Sequence, residues 1–270
     1  MRILFLGDVV GRAARVAVME QVPRLRQRLD LDFVVVNGEN SAGGFGITPK
    51  IAEEFYESGV DCLTTGNHVW DQRELLGSID RDKRMVRPAN FPAGTPGRGA
   101  TLLQARGGRQ VLVVNIMARL FMDALDDPFA AVDKLLADMA MPGVVDAIIV
   151  DFHGEASSEK MAMGHHLDGR VTLVVGTHTH IPTADLHILR GGTAYQTDAG
   201  GCCDFDSVIG MDKAEPLQRF TRKMPTQRYF PASGPATLCG VFVQTGANGL
   251  ATRIEPVRVG GRLKQAIPEI

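Results

Sequence analysis

Five short motifs carry the side chains of this 270-residue sequence best suited to chemistry, and each follows an apolar run. They are Gly7-Asp8, Asn37-Gly38-Glu39-Asn40, Gly66-Asn67-His68, Phe152-His153-Gly154 and Gly176-Thr177-His178-Thr179-His180. Their carboxylates, carboxamides and imidazoles are the oxygen and nitrogen donors that hold divalent metals. A lone Asp after a strand is usually a turn former or a helix cap, and Asp8 is placed to cap a helix starting near Arg12. A lone His-x-His is also weak evidence. Repetition of the pattern in five places is what points to distant segments converging on one metal centre.

Such residues need strands to present them. Residues 2–6, 33–36, 62–65, 111–116, 147–150 and 171–175 are short, apolar, β-rich runs bounded by Gly, Asp or Asn. That is the pattern of strands covered on both faces in an α/β sheet. In a parallel sheet the loops after the strands' carboxyl ends line the ligand crevice, and Asp8, Glu39, Asn67, His153 and His178 fall there. His178 and His180 are two residues apart, so extended backbone would turn both imidazoles to one side. The glycines after Asn40 permit left-handed turns or close approach to an anion. No Gly-Lys-Ser or Gly-Lys-Thr completes a P-loop there, and Gly7 to Gly11 does not complete a dinucleotide fingerprint.

Between the strands, Val18, Val22, Leu25 and Leu29 mark a helix over 12–29, with a kink or break expected at Pro23. Thr48 caps a helix over 49–58, Asp127-Pro128 opens one that runs to about 139, and 155–163 reads as a shorter one. His165 and His166 suit a helix end, where positive charge meets the dipole, and His187 alternates within a strand as a structural residue. After Ile181 two glycine-turn hairpins are expected, 185–189 with 193–197 and 237–245 with 250–259. This change from βαβ units to antiparallel strands predicts a second sheet packed on the first. No linker, repeat or low-complexity tract interrupts residues 1–270, so a single domain is expected. The Gly-, Pro- and charge-rich stretch at about 198–234 is the natural substrate loop.

Composition narrows the partners. Hydrophobic residues make up 44%, charged residues 22%, and the formal net charge is −2, ordinary for a soluble protein and without the basic face of a duplex nucleic-acid binder. No apolar run approaches a membrane span, and the opening run is too short for a signal peptide. Cys62, Cys202, Cys203 and Cys239 form no C-x-x-C pair and read as buried thiols of a reducing compartment, so a cytoplasmic protein is expected. A homo-oligomer is compatible with the sequence, which carries no interface signature.

Taken in order, Gly-Asp, Gly-Asn-His, a further His and Gly-x-His-x-His resemble the calcineurin-like metallophosphoesterase superfamily. Two departures narrow the resemblance. Asp8-Val9-Val10 stands where that superfamily has Asp-x-His, and Gly38-Glu39-Asn40 replaces Gly-Asp-x-x-Asp. Both, with Gln196-Thr197-Asp198-Ala199-Gly200 and Ile209-Gly210-Met211 in the tail, make the chain similar to the YmdB-like bacterial phosphodiesterases from Met1 to about Val259. The resemblance implies a four-layer α/β/β/α sandwich of two mixed sheets flanked by helices. By position it implies one metal held by Asp8, Glu39, Asn40 and His180 and another by Glu39, Asn67, His153 and His178. Glu39 would bridge, Asn40 would stand in for the missing histidine, and His68 would be the catalytic proton donor or phosphate ligand. Two divalent metal ions are the expected cofactors, with iron or manganese ahead of zinc.

Two such ions about 4 Å apart repel by about 4 kcal/mol even in water, which gives a bridging carboxylate a physical purpose. The expected reaction is attack of a metal-bridging hydroxide on a phosphodiester, and the resemblance implies a small cyclic nucleotide, in particular a 2′,3′-cyclic monophosphate. A phosphomonoesterase or nucleotidase with the same centre, a non-enzymatic nucleotide-binding regulator, and a metal-free Rossmann-like module are the competing readings. Phe205, Tyr229 and Phe230 are the aromatics near the expected substrate loop; no substrate-binding residue is assigned.

Overall fold

The computed structural model describes residues 1–270. The first half of the chain runs β1 (Arg2–Leu6), α1 (Gly11–Arg28), β2 (Phe33–Asn37), α2 (Pro49–Glu57), β3 (Cys62–Thr64), β4 (Ala100–Gln104), β5 (Gln110–Met117) and α3 (Pro128–Leu136). It continues through β6 (Ala147–His153), α4 (Ser157–His166), β7 (Leu173–Thr177), β8 (His187–Ile188), β9 (Ala194–Gln196), α5 (Ala214–Arg222), β10 (Leu238–Thr245) and β11 (Ala251–Val259).

Two mixed sheets result, ordered β11-β10-β1-β2-β3 and β4-β5-β6-β7-β9-β8. Strands β1, β2 and β3 pair in parallel, as do β5, β6, β7 and β9. The expected strands all form, but the expected division between sheets is wrong. The six apolar runs split three and three, and the C-terminal hairpin joins the first sheet, where Leu6 pairs with Gly240. A strand apolar on both faces is equally at home in either sheet, so its sequence does not encode its neighbours.

Side-chain alternation then builds three layers of core. Ile3, Phe5, Phe33 and Val35 point from the first sheet towards Val111, Val113, Ala147, Ile149 and Val175 of the second. Leu4, Leu6, Val34 and Val36 face the opposite way onto α1 and α2, meeting Val18, Val22, Leu25 and Phe55. Leu112, Val114, Ile148 and Val150 turn outward to Val132, Leu136 and Met163 of α3 and α4. The architecture is the four-layer α/β/β/α sandwich.

Local signals explain most elements. Thr48 Oγ1 accepts from Ile51 N at 3.3 Å with Pro49 at the first helical position, and Asp127 accepts from Phe129 N and Ala130 N ahead of Pro128. Helix α4 ends at His166, as its two histidines suggest. Pro23 does not break α1, which is one element from Gly11 to Arg28. Pro23 lies on the exposed face, where water can satisfy the freed carbonyl, while Val22 and Leu25 stay packed beneath. Within 198–234 the expected loop contains α5, whose Glu215 and Arg219 pair at i,i+4. No helix is long and apolar enough to cross a membrane.

Ile149 is fully buried between the sheets. Ile149→Ala should cost about 2–5 kcal/mol through lost burial and the cavity left behind. Urea unfolding will measure it, and a cost under about 1 kcal/mol would contradict a shared inter-sheet core.

Candidate metal centre

Both sheets aim the carboxyl ends of their parallel strands at one place. Asp8 follows β1, Glu39 and Asn40 follow β2, and Asn67 and His68 follow β3; His153 ends β6, and His178 and His180 follow β7. Asp8, Glu39, Asn40, His153 and His180 are buried, whereas Asn67, His68 and His178 are partly exposed. The structure thus gathers all eight candidate residues. Asp8 does not cap α1, whose N-cap position is Val10 and has no side-chain cap; the Asp8 Oδ2 instead accepts from His178 N at 3.1 Å.

His153 Nε2 is the focus. It stands 2.8 Å from Asn67 Oδ1, 3.2 Å from Glu39 Oε1 and 3.2 Å from His178 Nδ1. Ligand atoms about 2.1 Å from one octahedral ion stand about 3.0 Å apart along the coordination edges, so these spacings suit a shared cation. Protons are committed elsewhere. The Thr177 hydroxyl donates to Asp151 Oδ1 at 2.6 Å and therefore accepts from His153 Nδ1 at 2.9 Å, so a neutral His153 carries its proton on Nδ1 and offers its Nε2 lone pair. His180 Nδ1 donates to Ile209 O at 2.7 Å, which leaves its Nε2 as an acceptor. That nitrogen accepts from Asn40 Nδ2 at 3.2 Å and lies 3.9 Å from Asp8 Oδ1. Asp8 Oδ1 and Asn40 Oδ1 are buried without any hydrogen-bond partner. Buried acceptors without donors are costly, and a cation among them removes the cost. The residues present fit a divalent metal, and Glu39, His153 and His178 offer ligand atoms all within 4.8 Å of one another.

The electrostatics show the cluster's demand for positive charge. Burial disfavours a charge on His153, yet Glu39, Asp8 and Asp151 around it outweigh that and raise its pKa to about 9. Burial likewise works against charge on Glu39, but His153 and His68 hold it down to about 2. Burial and neighbouring His153 push His178 down to about 3. Burial raises the carboxyl of Asp8.

One geometric expectation fails. His178 and His180 do not lie on extended backbone; their φ angles are 96° and 64°. Strand β7 ends at Thr177, and two left-handed residues then turn the pair inward, an uncommon conformation for non-glycine residues. The turn is braced by a buried ion pair that the sequence did not flag. Lys160 Nζ donates to Asp198 Oδ2 at 2.8 Å and to Thr177 O at 2.7 Å, and Asp198 also accepts from Thr179 N and Thr179 Oγ1. Asp151 and Asn37 behind His153 were missed as well; Asn37 Nδ2 donates to Asp151 Oδ2 at 3.1 Å. Their signal was a polar residue near the end of an otherwise apolar strand. The Cys202-Cys203 pair, two buried thiols as expected, forms backbone bridges to Val9 and Thr237, tying the Asp8 loop to the strand region before β10.

A cleft of about 410 Å³ opens onto Glu39, Asn40, His68, His178 and His180. Its lining also includes Phe45, Ile209, Pro216, Phe220 and Tyr229. Of the aromatics expected near a substrate, Tyr229 lines it. Phe205 instead packs against Val10, Cys203 and Met211, and Phe230 is exposed outside the lining.

A two-sheet α/β/β/α sandwich with this N/O donor set at its strand ends is the architecture of a metallophosphoesterase. A family model described as YmdB-like protein matches residues 4–257, and the chain belongs to that family. It is 47% identical over 243 residues, 90% of each chain, to the 2′,3′-cyclic-nucleotide 2′-phosphodiesterase of Bacillus subtilis (strain 168). Among solved structures, a hypothetical protein from Thermus thermophilus superposes with a TM-score of 0.89 at 40% identity, covering 97% of this chain and 100% of that one. A novel phosphatase from Mycoplasma pneumoniae gives 0.89 at 32% identity, covering 96% and 93%.

Removing Lys160 would strand the Asp198 carboxylate in the interior. Lys160→Met should therefore cost about 3–5 kcal/mol, and adding Asp198→Asn should recover part of it. Chemical denaturation of the single and double variants will test this; equal, additive losses would contradict the pairing.

Proposed function

We propose that this protein is a metal-dependent phosphodiesterase that hydrolyses 2′,3′-cyclic nucleoside monophosphates. The observation that carries the reading is the set of buried acceptors at the strand ends, above all the unpartnered Asp8 Oδ1 and the unpartnered Oδ1 of Asn40, whose amide nitrogen lies 3.2 Å from His180 Nε2 and 3.3 Å from Glu39 Oε1. Asp8, Glu39, Asn40 and His180 would hold one divalent ion, and Glu39, Asn67, His153 and His178 the other, with Glu39 shared. When bound, such ions supply a nucleophilic water at neutral pH and positive charge for the phosphate oxygens. Both sheets contribute ligands, so residues 1–270 act as one catalytic domain in this proposal.

The remaining work falls to the chain. His68 lines the cleft, and its Nδ1 meets Asp71 Oδ2 at 2.8 Å. Phe45 packs edge-on against the ring with centroids 5.1 Å apart. Held from both sides, His68 is oriented to pass a proton from Nε2 to the departing ribose oxygen. The relative's name specifies the 2′ bond; breaking it here by addition of water would leave a nucleoside 3′-phosphate. Thr177 and Asp151 keep His153 in one tautomer, and the Ile209 carbonyl does the same for His180. A phosphomonoesterase is the second reading, because the Mycoplasma pneumoniae neighbour is described as a phosphatase.

A panel of 2′,3′-cyclic nucleotides, 3′,5′-cyclic nucleotides and monoesters separates the two, with turnover of monoesters alone sinking the first. His68→Ala should lower kcat by about 10²–10⁴-fold while the protein stays folded and keeps its metal by mass spectrometry. Chelation should abolish turnover, and Glu39→Gln should lose both metal and activity. Wild-type rates in either variant would remove its assigned role.

A further inference from the structure

The cleft is lined by two chemically different sets of side chains. Beside the histidines and Glu39, its lining is apolar and aromatic, including Phe45, Ile209, Met211, Pro216, Phe220 and Tyr229. Phe220 is the least explained of these, at 72% exposed in the folded chain. Phe220 is not isolated: it shares the cleft with Ile209, Met211, Pro216 and Tyr229, an apolar surface of the kind that marks a ligand-binding groove.

Its position is fixed by a unit that does not depend on the main cores. Segment 212–230 leaves and returns at one neck, where Met211 bridges Pro231 and Asp212 N donates to Phe230 O at 2.8 Å. Inside it, the buried Glu215 carboxylate accepts from Arg219, from Thr226 N and Oγ1 and from Gln227 N. Arg219 in turn lies 4.2 Å over the Tyr229 ring. Pro216 and Phe220, one helical turn apart on α5, are thereby both presented to the cleft.

We propose that this wall is a nucleobase subsite and that Phe220 is its stacking residue. The assignment rests on the phosphodiesterase reading above for the phosphate end. A mononucleotide combines the same two chemistries as the cleft's lining: an anionic phosphate suited to the cation-binding cluster, and a flat base suited to an aromatic surface. A cleft of about 410 Å³ matches a ligand of that size. Because every base has a π face, the subsite should prefer the larger purine surface without demanding one base.

Calorimetry on the full metal-loaded protein provides the test, using adenosine 3′-monophosphate and methyl ribofuranoside 3-phosphate, the same phosphate without its base. The wild type should bind the nucleotide about tenfold or more tightly than the base-free probe. Phe220→Ala should bring the two affinities within about twofold, Phe220→Trp should retain the preference, and Phe230→Ala, outside the lining, should leave it unchanged. Equal wild-type affinities, or a preference that survives Phe220→Ala, would overturn the subsite. Turnover of 2′,3′-cyclic AMP, followed separately, keeps the two ideas apart. Absent turnover with the base preference intact removes the phosphodiesterase reading, and turnover without the preference removes only the subsite.

Discussion

The structure is organised around an interior cluster of lone pairs that the chain's own protons satisfy only in part. Asp8 Oδ1 and Asn40 Oδ1 are buried without a partner, and His153 Nε2 and His180 Nε2 meet them at the junction of two sheets with Glu39 among them. An assembly of acceptors in a low-dielectric interior is unstable unless positive charge enters it. Without a metal that charge is a proton, and the raised pKa of His153 is its trace. A divalent cation is the stronger solution, and its binding would then stabilise the fold as well as serve chemistry.

Everything around the cluster serves to keep those lone pairs bare and aimed. Thr177 passes the demand of His153 Nδ1 to Asp151, and Asn37 anchors Asp151 from the other sheet. Lys160 and Asp198 hold the turn that carries His178 and His180 through unfavourable backbone angles. Gly66 leaves room for the cluster, since a Cβ there would lie 2.3 Å from His153 Nε2 and 2.4 Å from Glu39 Oε2. The fold accepts buried charge and left-handed histidines at this one end, and the apolar layers elsewhere offset the cost.

Val10 illustrates how a family departure becomes a physical arrangement. Where the wider superfamily has a histidine, this side chain packs with Cys203 and Met211, and Gly210 leans against it. Asn40 supplies a carboxamide to the same region, 3.2 Å from His180 Nε2.

Much of this was legible in the chain. Strand positions, the caps at Thr48 and Asp127, both late hairpins and all eight candidate site residues follow from local pattern or motif, because each depends on a few neighbouring residues. The sheet to which each strand belongs was not legible, since strands apolar on both faces carry no label for their partners. Nor were the left-handed turns at His178 and His180, the Lys160–Asp198 brace, or helix α5 with Phe220 at the cleft. Sequence alone determined which donors exist and that they follow strands. Only tertiary structure decided which protons are spent elsewhere, and so which lone pairs remain for a metal, because a hydrogen bond between residues 24 or 38 positions apart leaves no mark in either segment.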